Sequence, residues 1–140
     1  MEIRPYVERD FDAVVRLWEE VFPNPAAWNE PGFVIRTKLT VQRELLFVAV
    51  VDGEIVGTAM GGFDGHRGWV YAVGVSPKHR RKGIGSQLMR RVEEGLRAMG
   101  CPKLNLQVRG ANADAARFYE SLGYSVEDRI SMGKRLTEHV

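Results

Sequence analysis

One cysteine, Cys101, stands in 140 residues. An intramolecular disulfide and a thiolate metal cluster are therefore excluded. Histidine is nearly as scarce: His66, His79 and His139 lie far apart, and no two have zinc-ligand spacing. No metal is expected. Long apolar runs are missing too. The longest, Leu45 to Val51, has seven residues, against about 20 for a membrane-spanning helix, so no membrane partner is expected. Charge of one sign is also lacking. Twenty Lys+Arg face 18 Asp+Glu, a formal +2, which is too little to argue for nucleic acid. A nucleic-acid binder would use the basic clusters at 78–82 and at Arg90 and Arg91; the second lies on the outer face of a helix, the usual place for solvated charge, and no nucleic-acid partner is expected. Met1 to Pro5 lacks the apolar core of a signal peptide. The expected location is the cytoplasm.

What remains is ordinary in bulk: 44% apolar and 27% charged, the balance of a soluble globular chain. One domain over residues 1–140 is expected, burying roughly 68–70% of its unfolded surface. Ile3 to Val7 suits a short strand. Phe11, Val14, Leu17, Trp18 and Val21 recur at helical spacing, predicting a helix with one buried face that stops near Pro23. A proline-rich loop follows, then a short helix over Phe33 to Leu39. Leu45 to Val51 and Ile55 to Met60 flank Asp52-Gly53, a hairpin signal. Trp69 to Val75 is the third strand of this meander. Ile84, Leu88, Val92, Leu96 and Met99 form a helical stripe with Gly100 as its cap. Gly95 inside it reads as a site of close packing. Leu104 to Val108 is a strand parallel to Trp69 to Val75, because the strand–helix–strand order makes a right-handed crossover. Ala113 to Leu122 is a helix capped by Asn112. Tyr124 to Leu136 supplies one or two last strands. The fold class is α+β: a mixed sheet with an antiparallel N-terminal meander, a central parallel pair, and helices on both faces.

The stretch richest in chemistry is Val73-Gly74-Val75-Ser76-Pro77-Lys78-His79-Arg80-Arg81-Lys82-Gly83-Ile84-Gly85-Ser86. A strand runs into a basic turn that opens a helix. Unpaired N–H groups at a helix N-terminus hold anions, and Gly83 and Gly85 allow close backbone approach. A plain turn with solvated basic side chains is the competing reading, and the residues alone leave both open. Two phosphate motifs are excluded. The Gly-x4-Gly-Lys-Ser/Thr spacing is absent, and a dinucleotide fingerprint would need glycine where Leu88 stands. A Gly-x-Ser-x-Gly nucleophile elbow is absent as well.

Arg80-x-x-Gly83-x-Gly85, preceded by Val73-Gly74-Val75-Ser76-Pro77, resembles the acetyl-CoA signature of the GNAT N-acetyltransferases. A second element agrees. Asn112-Ala113-Asp114-Ala115-Ala116-Arg117-Phe118-Tyr119-Glu120-Ser121-Leu122-Gly123-Tyr124 is similar to the family's late helix. The likeness is to the branch of small bacterial and protein N-terminal acetyltransferases. It implies the GNAT fold, its central parallel strands splayed for acetyl-CoA, and direct attack of an amine on the thioester. It places the diphosphate on the backbone of Arg81, Lys82, Gly83, Ile84, Gly85 and Ser86, with Arg80 adding charge. Pantetheine and thioester would lie along Val73, Gly74 and Val75, with the Val73 N–H as oxyanion donor. Gly74 suits a bulge opening the strand.

Asn112 would touch the pantetheine, a role compatible with capping its helix. Tyr119 would be the general acid, a phenol of pKa about 10 matched to a thiolate; a core aromatic is the alternative. Many relatives carry a carboxylate on the strand before the signature, and Trp69-Val70-Tyr71-Ala72-Val73 has none. Tyr71, expected on the same face as Val73, and Glu54, Asp64 and His66 are the candidates to pass a proton to water; alternatively, the enzyme takes neutral amine. Trp28, Asn29, Glu30, Phe33, Phe63 and Trp69 are candidates for the acceptor site. A peptide N-terminus, a lysine or a small amine all fit as acceptor, and family members often pair as homodimers along a late edge strand. The expected function is an acetyl-CoA-dependent N-acetyltransferase; the alternative is a non-catalytic acyl-CoA-binding module.

Overall fold

The computed structural model describes residues 1–137. The elements run β1 (Glu2–Pro5), α1 (Phe11–Val21), α2 (Pro31–Lys38), β2 (Leu46–Val51), β3 (Glu54–Phe63), β4 (Gly68–Val75), α3 (Ile84–Ala98), β5 (Leu104–Asn105) and α4 (Ala113–Ser121). They build one five-stranded sheet in the order β1-β2-β3-β4-β5. The first four strands are antiparallel neighbours, and β4 pairs with β5 in parallel. The parallel crossover expected around α3 is therefore present.

Alternation along β2 splits the core in two. Leu46 and Val48 face Val14, Leu17 and Trp18 of α1 and Ile35 of α2. Phe47 and Ala49 face Ile84, Leu88, Met89, Val92 and Leu96 of α3. Local chemistry sets the boundaries. Phe22 leaves the helical region at φ −127° and ψ 68°, as the residue before a proline must. The Glu30 carboxylate accepts from the N–H groups of Gly32 (3.0 Å) and Phe33 (2.7 Å) and starts α2. Asp52 and Gly53, at φ 51° and 78°, make the β2–β3 turn with the twist that a hairpin needs. Gly95 is indeed a packing glycine: a Cβ there would lie 2.6 Å from Leu45 Cδ2.

The third strand departs from the simple alternation expected of it. Gly74 pairs with Thr58 and Tyr71 with Met60, so Ala72 and Val73 together oppose Ala59. This is a β-bulge, and Ala72 adopts φ 52° to make it. The Thr58 hydroxyl donates to the Ala72 carbonyl at 2.8 Å and accepts from Trp18 Nε1 at 2.8 Å. The bulge is thus centred on Ala72, not on Gly74. Gly74 has a different cause: a Cβ would sit 2.8 Å from Phe22 Cζ and 3.0 Å from Val21 Cγ2, so α1 crosses here at backbone distance. The bulge also separates two residues expected on one face. Val73 packs on the α3 side. Tyr71 lies opposite Met60, which belongs to the α1 side.

Other expectations shift at the far edge. β5 has two residues where five were expected, because the bent β4 leaves Leu106 to Val108 without a ladder. No strand forms over 124–137; Glu127 and Ser131 hold this segment to 103–107 by side chains only. Arg91 is not free in solvent. It donates to the Ile3 carbonyl at 2.6 Å and lies over the Phe47 ring.

Thr58→Val deletes one buried hydroxyl at nearly constant shape and strands both Trp18 Nε1–H and the Ala72 carbonyl. Urea unfolding should show a loss of about 1–3 kcal/mol; wild-type stability in that variant would remove the Thr58 chain as the anchor of the bulge.

Candidate active site

The bulge has a consequence on the other edge of β4. The β4–β5 ladder covers only Gly68↔Leu104 and Trp69↔Asn105. From Val70 to Val75, β4 has no strand partner on that side, and the two strands stand apart. A groove of about 2070 Å³ occupies the opening, roughly twice the upper size of an ordinary small-ligand site. It reaches both faces of the sheet. Trp18 and Val21 of α1, with Phe22 just past its end, line it on one face, and Glu93, Leu96 and Arg97 of α3 on the other. Val73 and Gly74 line its centre, Asn112 and Tyr119 the α4 wall, and Arg80 also reaches it.

Beyond Val75 the chain turns into α3. Arg80 Nε donates to the Val75 carbonyl at 3.0 Å and ties the turn to the end of β4. Arg81 and Gly83 take left-handed φ of 65° and 78°. Among the described residues, no protein group accepts from the backbone N–H groups of Arg81 to Ser86. The helix dipole adds positive potential there, and Lys78, Arg81 and Lys82 have no carboxylate partner among the described residues. The turn therefore suits an anion bound by main chain. Space agrees at Gly83, where a Cβ would meet nothing within 4 Å. Gly85 answers to a different demand: a Cβ there would approach Phe118 Cζ at 3.2 Å, so it seats α4 on α3. Ile84 is buried in the core and offers only its backbone.

Asn112 caps α4, its Oδ1 accepting from Ala115 N at 3.0 Å, and it lines the groove as well. Tyr119 is half-buried, with Phe118 and Tyr124 edge-on at centroid distances of 5.0 and 6.0 Å. Burial pushes its phenol above the ordinary value, so it stays protonated at neutral pH. Sequence reasoning missed Glu93, which accepts from the Tyr124 hydroxyl at 2.5 Å. Burial, then this hydrogen bond, holds the Tyr124 phenol far up. The two residues are 31 apart in the chain, and no local pattern pairs them.

The candidate bases fare unequally. The Asp64 carboxyl is held low by the N–H groups of Arg67 and His66, which it organises into the β3–β4 turn. Glu54 sits on the β2–β3 hairpin opposite Val51. Glu54, Asp64 and His66 are not among the residues lining the groove, whereas Tyr71 is. Partial burial raises the Tyr71 phenol, so it stays protonated at neutral pH and cannot take up a proton there. His139 lies outside the described residues, and among those no His, Cys, Asp or Glu cluster could hold a metal. Of the acceptor candidates, Asn29 and Trp69 line the groove; the Glu30 carboxylate is committed to capping α2.

The model of the acetyltransferase (GNAT) family matches residues 11–124. A Pectobacterium atrosepticum protein named an acetyltransferase is 48% identical over 139 residues, covering 99% of this chain and 97% of its own. Among solved structures, Ard1 from Thermoplasma volcanium superposes with a TM-score of 0.80 at 24% identity, covering 90% of this chain and 83% of that one. Chaetomium thermophilum Naa20, in complex with a bisubstrate analogue, gives a TM-score of 0.74 at 28% identity, covering 90% and 72%.

Gly53 and Gly83 share a φ of 78° and an open Cβ direction, so they form a matched pair. Valine at either should cost stability through the same left-handed strain, of order 1–2 kcal/mol. Only Gly83→Val should weaken acetyl-CoA binding, by about tenfold or more. Calorimetric titration giving equal affinity for both variants would contradict the cradle.

Proposed function

The chain belongs to the acetyltransferase (GNAT) family, and from this premise we propose that it moves the acetyl group of acetyl-CoA directly onto a primary amine of a peptide, a protein or a small metabolite. That it is an acetyl-CoA-dependent N-acetyltransferase follows from membership itself. The acceptor and the roles of individual residues are our reading, as are a single domain over 1–140 and a cytoplasmic location. No helix among the described residues is long and apolar enough to cross a membrane.

The observation that carries the reading is the alignment of two unsatisfied surfaces. The free edge of β4 runs from Val70 to Val75, and the unpartnered N–H groups of Arg81 to Ser86 begin six residues beyond its end. A long ligand with an anionic middle and an amide-bearing arm fits both. Acetyl-CoA supplies an activated thioester there. The Arg81–Ser86 backbone would hold its diphosphate, with Arg80, Arg81 and Lys82 adding charge. Val73, Gly74 and Val75 would align its arm, with Asn112 across the groove. The Val73 N–H would face the oxygen that gains charge as the amine attacks. Tyr119 is the proton donor: its hydroxyl has no hydrogen-bond partner among the described residues, its phenol is held protonated, and it lines the groove. Among the described residues, Glu54, Asp64 and His66 do not line the groove, and in this reading the acceptor sheds its proton to water.

Tyr119→Phe removes a proton donor and little volume. Turnover should fall by about 10²-fold, with acetyl-CoA affinity nearly unchanged, since the phenol acts on charge developed late in the reaction. The raised phenol also sets a sign. The protonated form is the active one, so the alkaline fall in kcat should lie above pH 10, the ordinary tyrosine value. Steady-state kinetics at saturating substrates test both; turnover within a few-fold of wild type would remove Tyr119 from the chemistry.

A further inference from the structure

Acetyl-CoA, placed as above, fills only part of the groove. Its diphosphate lies beyond Val75 and its thioester at Val73, yet the groove runs on to the Trp69–Asn105 pair where the strands close. Four strand residues separate Val73 from Trp69, on the order of 10 Å. This closed end is room for the acceptor, and its charge is lopsided. Arg67, Lys103 and Arg129 line it with Glu127. The other carboxylates on the groove, Glu93 and Glu120, belong to α3 and α4.

Observed links hold these charges together. The Gly68 N–H donates to the Lys103 carbonyl at 2.9 Å, which sets Arg67 beside Lys103. Lys103 Nζ and Asn105 Nδ2 donate to the two oxygens of Glu127, so that carboxylate is spent. The Lys103 hydrogen bond, then that of Asn105, holds the Glu127 carboxyl below its ordinary value, and the charge of Arg129 adds to this. Arg129 is therefore within electrostatic reach of the group. Arg67 and Arg129 have no carboxylate partner among the described residues. Asp64 is committed to the N–H groups of His66 and Arg67. A second ammonium on the acceptor would meet cations here and no free carboxylate. A carboxylate would meet two arginines with nothing else to bind.

We propose that the closed end of the groove selects acidic acceptors: peptides whose free amine is followed, at the second to fourth residue, by an acidic side chain that reaches Arg67 and Arg129. The span decides between sources of a carboxylate. In a free amino acid the carboxylate sits on the carbon that bears the amine, so it stays near Val73. In an extended peptide each residue adds about 3.4 Å, so an acid two or three residues on arrives at the closed end. Polyamines and other polycations are turned away by the same charges. The assignment rests on the acetyl-transfer reading above and concerns only which acceptor the site takes.

Two measurements test it. The first compares kcat/KM for peptides with a free N-terminus, no lysine and an amidated C-terminus that differ only in Glu, Gln or Arg at the third position. Wild type should favour Glu over Gln by about tenfold, with Arg below both, and added salt should narrow the spread. Arg67→Gln and Arg129→Gln should each cut the Glu-to-Gln ratio severalfold, through KM for the peptide. Arg129→Glu leaves two cations against two carboxylates and should abolish the preference for Glu over Arg, which the loss of a merely structural arginine would not do. Free glutamate should gain nothing over free glutamine. A wild type indifferent to the three peptides, a preference for free glutamate over the Glu peptide, or an unchanged ranking in folded Arg129→Glu overturns the proposal. The second measurement needs no turnover and so stands apart from the acetyl-transfer reading. The N-acetylated Glu peptide, titrated into ¹⁵N-labelled protein, should bind about tenfold more tightly than its Gln counterpart and shift the amides of Gly68, Trp69 and Lys103 to Asn105. Equal affinity, or shifts only elsewhere, means that the closed end does not read charge.

Discussion

The site depends on one distorted strand residue. Ala72 occupies a left-handed conformation that costs a non-glycine residue roughly 1–2 kcal/mol, and it persists because its carbonyl is held by a buried hydroxyl. Trp18 fixes that hydroxyl, so the helix α1 and the bulge on β4 are one unit. A bulged strand bends. Here the bend carries β4 off its parallel neighbour after two residue pairs and opens the sheet in its middle. Gly74 keeps α1 close at the same level, so the opening is walled on one face by aromatic and aliphatic side chains and on the other by α3 and α4.

Among the described residues, this geometry leaves polar groups unpaired on the groove and at its end. The edge of β4 has lost its ladder, and the first turn of α3 has N–H groups with no acceptor, as every helix start does. In most proteins a side chain caps such a start. Here Gly83 occupies the cap position and has no side chain to offer. Basic residues gather around it and acidic ones do not, which suits the uncapped start to an anion. Tyr119 and Tyr124 show how burial sorts similar groups: Tyr124 spends its hydroxyl on Glu93, and Tyr119 keeps its own available to the groove.

Much of this was legible in the residues. The apolar stripe from Ile84 to Leu96, the Asp52-Gly53 turn and the Asn112 cap each follow from local rules, and their order gives the crossover. The basic turn and the late helix carried the family resemblance, and with it the N-acetyltransferase fold. What escaped was non-local. Nothing in a β-prone run from Trp69 to Val75 shows that Ala72 will turn left-handed; that follows from a threonine fourteen residues earlier and a tryptophan on α1. Gly74 and Gly85 invited chemical readings, and each also gives room to a ring, Phe22 and Phe118 respectively, which no local pattern shows. The alternating pattern after Gly123 reads as strand, yet a strand needs a partner edge, and the short β5 offers almost none.

The central claim is that the open edge of β4 and the uncapped start of α3 form one binding surface. Titrating CoA into ¹⁵N-labelled protein and following backbone amides tests it most directly. The account predicts that the amides of Val73 to Val75 and of Arg81 to Ser86 shift together and saturate at one concentration. Shifts confined to one of the two stretches, or to the Arg90–Arg91 side of α3, would contradict it.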